Sequence, residues 1–404
     1  MSVSPAPARG VLTITPWYGG VDGGVGVATE TISHTLLSTG SRCAVIELKR
    51  DAVVPRVRRG RAGELIVGLC LRADTSITGP IRARVGYSVR RATAMGGIAL
   101  LKARLDARVA HFHYVNDSYV TLFDICRRLG LATVLTLHGT DVNGVADGQS
   151  WTRVDRLLRA ADAVTAVSAA LCRTIVERSP ETADKMAVVP NAVPVDIAAA
   201  AADASRYRAE PTIDLLFLGN LRAVKGPDIL LEAMRLVSAR IEKVSLTVAG
   251  TGPLRDQLEQ RARQIGIDGL VTFRGRVSRD EAVALLRRSR ILVIPSRAEG
   301  APLVALEAQM LGVPVVAANV GGIPETVTQE GSGILCPPDD PSALAYAIVR
   351  LLGDETLRRR LGAEGRRRAA TLFSPERIAS RYLEVYERAI ARQRVSPVVV
   401  AAAR

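Results

Sequence analysis

Short runs of β-branched and aliphatic residues recur along this chain, each followed by a turn and then by a helical pattern. That alternation limits the fold sharply, because strands separated by helices pair in parallel through crossovers. The N-terminal half supplies such runs at 11–15, 43–48, 109–114, 133–137, 163–167 and 186–189, and the C-terminal half at 213–218, 245–249, 271–274, 291–294 and 314–317, with 334–336 as a short edge. Between the halves stands Val189-Pro-Asn-Ala-Val-Pro194, where two prolines fix the chain direction, and then an alanine-rich stretch to Glu210 that reads as a helix or a tether. From Ser374-Pro-Glu a helical periodicity runs to 394, and 395–404 reads as a frayed tail.

A chain of 404 residues suits two α/β domains, and two domains imply a cleft. With 48% hydrophobic and 23% charged residues, wholesale disorder is excluded. Five scattered cysteines, none in CxxC, fit reduced thiols and predict a cytoplasmic protein. Residues 1–15 lack a basic start followed by an apolar core, and no segment stays apolar for about 18 residues, so neither secretion nor spanning is expected. The net charge is +14, and residues 49–108 hold fourteen Lys or Arg against four Asp or Glu, a surplus of ten. That stretch is either a solvated basic surface or a contact for something acidic, such as anionic membrane or a lipid-phosphate acceptor. Nucleic acid is not expected, since aromatics are 4% and none interleave with the basic run.

The richest motif is Arg297-Ala-Glu-Gly-Ala-Pro-Leu-Val-Ala-Leu-Glu307, directly after a buried run. Pro302 suits the first helical position, which leaves the N–H groups of Leu303 and Val304 open beside Gly300 and Ala301, a place where a pyrophosphate fits. Glu299 precedes the helix and Glu307 lies more than a turn inside it, so a nucleotide-sugar would meet Glu299 with its sugar and Glu307 with its ribose. Leu218-Gly-Asn-Leu-Arg-Ala-Val-Lys-Gly226 also ends a run. There Gly219 permits close backbone approach and Lys225, one of five lysines among forty-nine arginines, offers a compact cation to a leaving diphosphate. Gly250-Thr-Gly-Pro253 (Gly250, Gly252) and Phe273-Arg-Gly-Arg-Val277 (Arg276, Val277) close two further runs, and Gly321-Gly-Ile-Pro-Glu325 is a loop or a plain structural turn.

In the N-terminal half, Pro16-Trp-Tyr-Gly-Gly-Val-Asp-Gly-Gly-Val25 is a glycine loop (Gly19, Gly20, Gly23, Gly24) able to close over phosphate or acceptor, and its spacing does not fit GxGxxG. Leu135-Thr-Leu-His-Gly-Thr-Asp141 ends in a polar cluster of His138, Gly139 and Asp141, and His113 is expected mostly to pack, at a cleft edge. No Asp-X-Asp and no metal-ligand spacing occur, so charge on a leaving diphosphate must be met by side chains and a helix dipole; no nucleophile elbow supports acyl hydrolysis.

The glutamate, seven residues, glutamate pattern resembles that of retaining glycosyltransferases of the GT-B fold, and nearly the whole chain resembles glycosyltransferase family 4 (glycosyl transferases group 1). The resemblance implies two Rossmann-like domains facing each other across a cleft: 1–192 for the acceptor, 193–373 for the donor, and 374–394 a helix returning to the N-terminal domain. It implies His138, Lys225, Arg222 and Glu299 as catalytic residues, and a UDP- or GDP-sugar donor with a glycan or lipid-linked acceptor in polysaccharide, glycolipid or glycoconjugate synthesis. The family pattern has an arginine where this chain has Asn220, which leaves Arg222 as the candidate second cation. A GT-B epimerase and a non-catalytic nucleotide-sugar-binding subunit are the alternatives.

Overall fold

The computed structural model describes residues 10–19, 23–49, 55–71, 81–116, 118–144, 148–203 and 211–395, the side chains of 81–84, 148–150, 203 and 395 excepted. The chain divides into two compact units, Met1–Pro190 with Glu376–Arg404, and Asn191–Pro375.

The first unit is built on β1 (Gly10–Thr15), β2 (Arg42–Leu48), β3 (Arg56–Arg59), β4 (Leu65–Leu69), β5 (Ala107–His113), β6 (Ala132–Leu137), β7 (Ala163–Ala166) and β8 (Met186–Val188). Their order is β3-β4-β2-β1-β5-β6-β7-β8. Every residue of β1, β6 and β7 is buried, which is why these strands read as continuous apolar runs rather than alternating ones. All neighbours pair in parallel except β3, which runs antiparallel to β4. Leu65–Leu69 is a buried apolar run that the sequence reading passes over, and its hairpin partner Arg56–Arg59 exposes all four residues and offers no buried run. That partner is a charged edge of the kind that blocks further strand pairing.

The helix Pro375–Val395 buries Ile378, Tyr382, Tyr386 and Ala389. Tyr386 Oη lies 2.8 Å from His111 Nδ1 on β5, and Arg381 Nη2 donates to the Val188 carbonyl at 2.6 Å, so this returning helix is stitched to the first sheet.

The second unit holds β9 (Ile213–Leu218), β10 (Leu246–Ala249), β11 (Val271–Gly275), β12 (Ser289–Ile294), β13 (Val315–Ala318) and β14 (Gly333–Cys336) in the order β11-β10-β9-β12-β13-β14. All pairs are parallel. The chain moves outward from β9 through β11 and then returns to its other side at β12, and such a reversal opens a crevice at the carboxyl ends of the two central strands. The alanine-rich stretch forms the helix Val195–Asp203, and 204–210 lie outside the described residues. The segments that enter and leave this unit meet where Val193 N donates to Phe373 O at 2.8 Å. Among the described residues no helix is long and apolar enough to cross a membrane.

Candidate active site

The loops leaving β9, β10 and β12 converge at the reversal point. Gly219 N donates to Ala249 O and Leu221 N to Thr251 O, both at 3.0 Å, while Gly250 N donates to Gly275 O at 2.8 Å. Gly250 has φ +142°, and a Cβ there would overlap the Gly219 carbonyl oxygen, so glycine alone fits. Arg297 locks the next pair of loops: its backbone N donates to Val224 O at 2.8 Å, and its guanidinium spans Asp228 at 2.7 Å and Asp339 at 2.7 Å. Four sequence-predicted glycine and strand-end positions, Gly219, Gly250, Gly252 and Arg276, are thereby gathered on one rim, with Asn220, Arg222 and Arg276 exposed.

Lys225 and Glu299, 74 residues apart in sequence, meet on this rim at 2.7 Å (Nζ to Oε1). Ser296 Oγ donates to the same carboxylate oxygen at 2.8 Å. The Glu299 side chain is 8% exposed and that of Lys225 27%, so the pair is desolvated on the carboxylate side and open on the ammonium side. The backbone of Glu299 is held as well, since Gly322 N donates to its carbonyl at 3.2 Å and Gly321, at φ +52°, leaves no room for a Cβ beside that oxygen. Asn191 Nδ2 donates to Ala301 O at 2.8 Å and fixes the far end of the loop.

The helix Leu303–Met310 follows, with Pro302 as its N-cap at ψ 116°. Pro302 thus stands one place before the first helical position expected for it, because its ψ is extended rather than helical. The amides of Leu303 and Val304 are still those without intrahelical acceptors. Glu307, on the second turn, is buried, and its Oε1 receives Arg279 Nη1 at 2.5 Å. Burial pushes the Glu307 carboxyl above its ordinary range, opposed by the Arg279 charge.

In the first unit, the described part of the glycine loop starts from a fixed base. Tyr18 Oη donates to Glu64 Oε1 at 3.0 Å, and His34 Nε2 lies 3.1 Å from the same oxygen. Gly19, Gly23 and Gly24 follow, the last opening the helix Gly24–Ser38; Gly20 lies outside the described residues. His113 is fully buried rather than at an edge, because β5 runs on to that residue inside the sheet. Its Nδ1 is 3.2 Å from Nε2 of the partly exposed His138, and its own Nε2 has no partner. Burial holds His138 down at about 4 and His111 at about 3. Asp141 is buried beneath the turn, its carboxylate accepting the N–H groups of His138 (3.1 Å) and Gly139 (2.8 Å), so it braces the loop that carries His138 and has little surface to offer a ligand.

Two family models match the chain: Glycosyltransferase Family 4 over residues 22–197, and Glycosyl transferases group 1 over 202–368. The chain belongs to glycosyltransferase family 4. N-acetyl-alpha-D-glucosaminyl L-malate synthase of Bacillus anthracis is 28% identical over 74% of this chain and 79% of its own. In fold, the chain is similar to the sucrose-phosphate synthase of Thermosynechococcus elongatus (TM-score 0.73, 23% identity, 95% of this chain and 99% of that one). It is also similar to HepE of Anabaena in complex with UDP-glucose (TM-score 0.71, 18% identity, 94% and 99%). The architecture is accordingly GT-B, and the protein is a glycosyltransferase. For this family 4 chain the sequence reading omitted Ser296, Asn191, Arg279 and Asp196. Ser278-Arg-Asp-Glu281 does announce a helix start, and the structure contains that capping box, but nothing local indicates that Arg279 reaches Glu307 and Asp196.

Proposed function

We propose that this glycosyltransferase transfers a sugar, with retention and without a metal, from a nucleoside-diphosphate sugar to a hydroxyl acceptor in polysaccharide, glycolipid or glycoconjugate synthesis. The observation that carries the reading is the Lys225–Glu299 pair at the reversal point, close in sequence to the open amides of Leu303 and Val304. Lys225 has three N–H donors and Glu299 engages one, so the others, with Arg222 as second cation, can stabilise the departing diphosphate. The unengaged oxygen of Glu299 accepts from sugar hydroxyls, and Glu307 accepts from the ribose. Gly219, Asn220, Gly250, Gly252, Arg276, Val277, Gly300, Ala301 and Pro302 line the donor. His138 orients the reacting sugar. In a front-side displacement the acceptor oxygen bonds to the anomeric carbon as the phosphate oxygen leaves, and that oxygen takes the acceptor's proton, so positioning and charge stabilisation suffice. The complex of HepE with UDP-glucose supports a nucleotide-sugar donor, with UDP and GDP both compatible.

The acceptor is assigned to the first unit, at the cytoplasmic face of an anionic membrane. In support, β3 and the helix Ile81–Leu105 carry five of the seven exposed large hydrophobics among the described residues: Val57, Val85, Val89, Met95 and Leu100, the last 69% exposed. β3 also exposes Arg56, Arg58 and Arg59, and exposed apolar and basic side chains within one stretch of the chain suit an anionic interface. The test is to screen UDP, GDP and ADP for a rise in melting temperature, then to run transfer from sugar donors of the base that binds, with and without EDTA, and read the product anomer by NMR. Retained configuration insensitive to EDTA is expected. Inversion, loss of activity with chelator, or epimerised donor without acceptor would each overturn the corresponding part.

A further inference from the structure

Glu307 is an anomaly on its own helix. Leu303, Ala305, Leu306 and Ala308 around it are buried and apolar, and a carboxylate in such a setting is costly unless it is paired. The partner is Arg279, whose Nη1 donates to Glu307 Oε1 at 2.5 Å. The rest of that guanidinium is also engaged, with Nε on Asp196 Oδ2 at 2.6 Å and Nη2 on Asp196 Oδ1 at 3.1 Å. Three helices are joined this way: Val195–Asp203 through Asp196 in its first turn, Arg279–Arg287 through its opening Arg279, and Leu303–Met310 through Glu307 in its second turn. The bidentate grip of Asp196 leaves the planar fork little rotational freedom, so the point at which it meets Glu307 is fixed. Among the described residues nothing hydrogen-bonds Glu307 Oε2, and that atom is not among the buried polar atoms left without a partner.

We propose that Arg279, braced by Asp196, is a positioning residue that presents the free oxygen of Glu307 to the ribose hydroxyls of the donor and so makes the site select ribonucleotides over deoxyribonucleotides. This rests on the assignment of Glu307 to the donor made above. An ionised carboxylate with one oxygen already saturated is a pure acceptor at the other, and it gains from a sugar that brings a hydroxyl donor while losing that gain with a sugar that lacks one. Among the described residues, the charged groups that act on Glu307 are Arg279 and Asp196. The other elements against its helix meet it differently: the helix Glu355–Leu372 brings Gly362 against Gly312 and Gly365 against Gln309, and β12 and β13 bring Leu292, Ile294, Val315 and Ala317. A purely structural staple would hold the three helices together without sensing what the ribose carries.

The experiment is calorimetric titration of the full chain with UDP and GDP and with their 2′,3′-dideoxy counterparts, for the native chain, Glu307→Gln, Arg279→Met and Asp196→Asn. The native chain is expected to prefer the ribose form about tenfold or more, the size of one hydrogen bond to a charged group. Arg279→Met is expected to weaken the ribose form about tenfold and to leave the dideoxy form unchanged, with Asp196→Asn shifting the preference the same way by about threefold. Equal loss for both forms, or a preference intact in both Arg279→Met and Asp196→Asn, overturns the inference. Should Arg279→Met fail to fold, Asp196→Asn decides alone, since Asp196 is partly exposed and its loss leaves Arg279 in place. If Glu307→Gln keeps the full preference, or the native chain binds neither diphosphate, the donor-site assignment itself fails.

Discussion

Replacing Lys225 with methionine keeps most of the stem and removes the ammonium, which separates two consequences that can be sized from the structure. Glu299, 8% exposed, would lose its 2.7 Å partner and keep only Ser296 Oγ. A hydrogen bond between charged groups contributes roughly 1.5–3 kcal/mol, and because Lys225 is 27% exposed, solvent screening lowers the figure to about 1–2 kcal/mol. At about 2–4 °C per kcal/mol for a unit of this size, the melting temperature should fall by about 2–8 °C. Turnover should fall much further, since removing one preorganised charge from a developing anion costs on the order of 10²–10³ in kcat. The assay is nucleoside-diphosphate release under saturating donor, beside scanning calorimetry of Lys225→Met, Glu299→Gln and the double variant. The stability losses should overlap in the double variant, because the two residues share one contact. A folded Lys225→Met with unchanged diphosphate affinity and turnover would refute the assignment of the charge to the leaving group.

Acid should destabilise the first unit. Burial holds His111 at about 3 and His138 at about 4, and pulls His113 well below the ordinary 6.5. The unfolded chain therefore takes up these protons as pH falls below 6.5 while the folded chain does not, so their contribution is complete above 6.5 and is lost toward the folded values. Asp141, raised by burial to about 6 from 3.8, acts in the opposite direction with a single proton, so three histidines outweigh it. Each histidine adds a slope of up to about 1.4 kcal/mol per pH unit, and urea denaturation at pH 5 and 7 should show the loss, with His111→Asn showing less of it. Stability rising below pH 6 would contradict this. Anionic vesicles should bind the protein and release it as salt rises, and Val89→Asp with Leu100→Asp should weaken binding while diphosphate affinity stays unchanged; binding indifferent to both salt and these changes would remove the membrane assignment.

Much was legible in the sequence because it is written locally. Strands buried on both faces appear as unbroken runs, as at β1, β6 and β7, and helix starts and glycine turns leave residue signatures such as Gly250 and Pro302. Glu299, Glu307 and Lys225 could be singled out because each follows such a run at a fixed offset. β3 could not, since an edge strand of exposed arginines has no buried periodicity to betray it, whereas its buried partner β4 has such a run, which the sequence reading passes over.

By itself the sequence determined two repeated βα halves, the strand-end loops where chemistry could gather, and the family to which they conform. Only the tertiary structure decided who meets whom: Lys225 with Glu299 across 74 residues, Arg279 with Glu307 and Asp196 across 28 and 83, and His111 with Tyr386 across 275. It also decided that His113 and Asp141 lie inside, not at a surface. The reason is physical: backbone periodicity and turn preference act over a few residues, whereas ion pairs and burial depend on the order in which the strands assemble into a sheet.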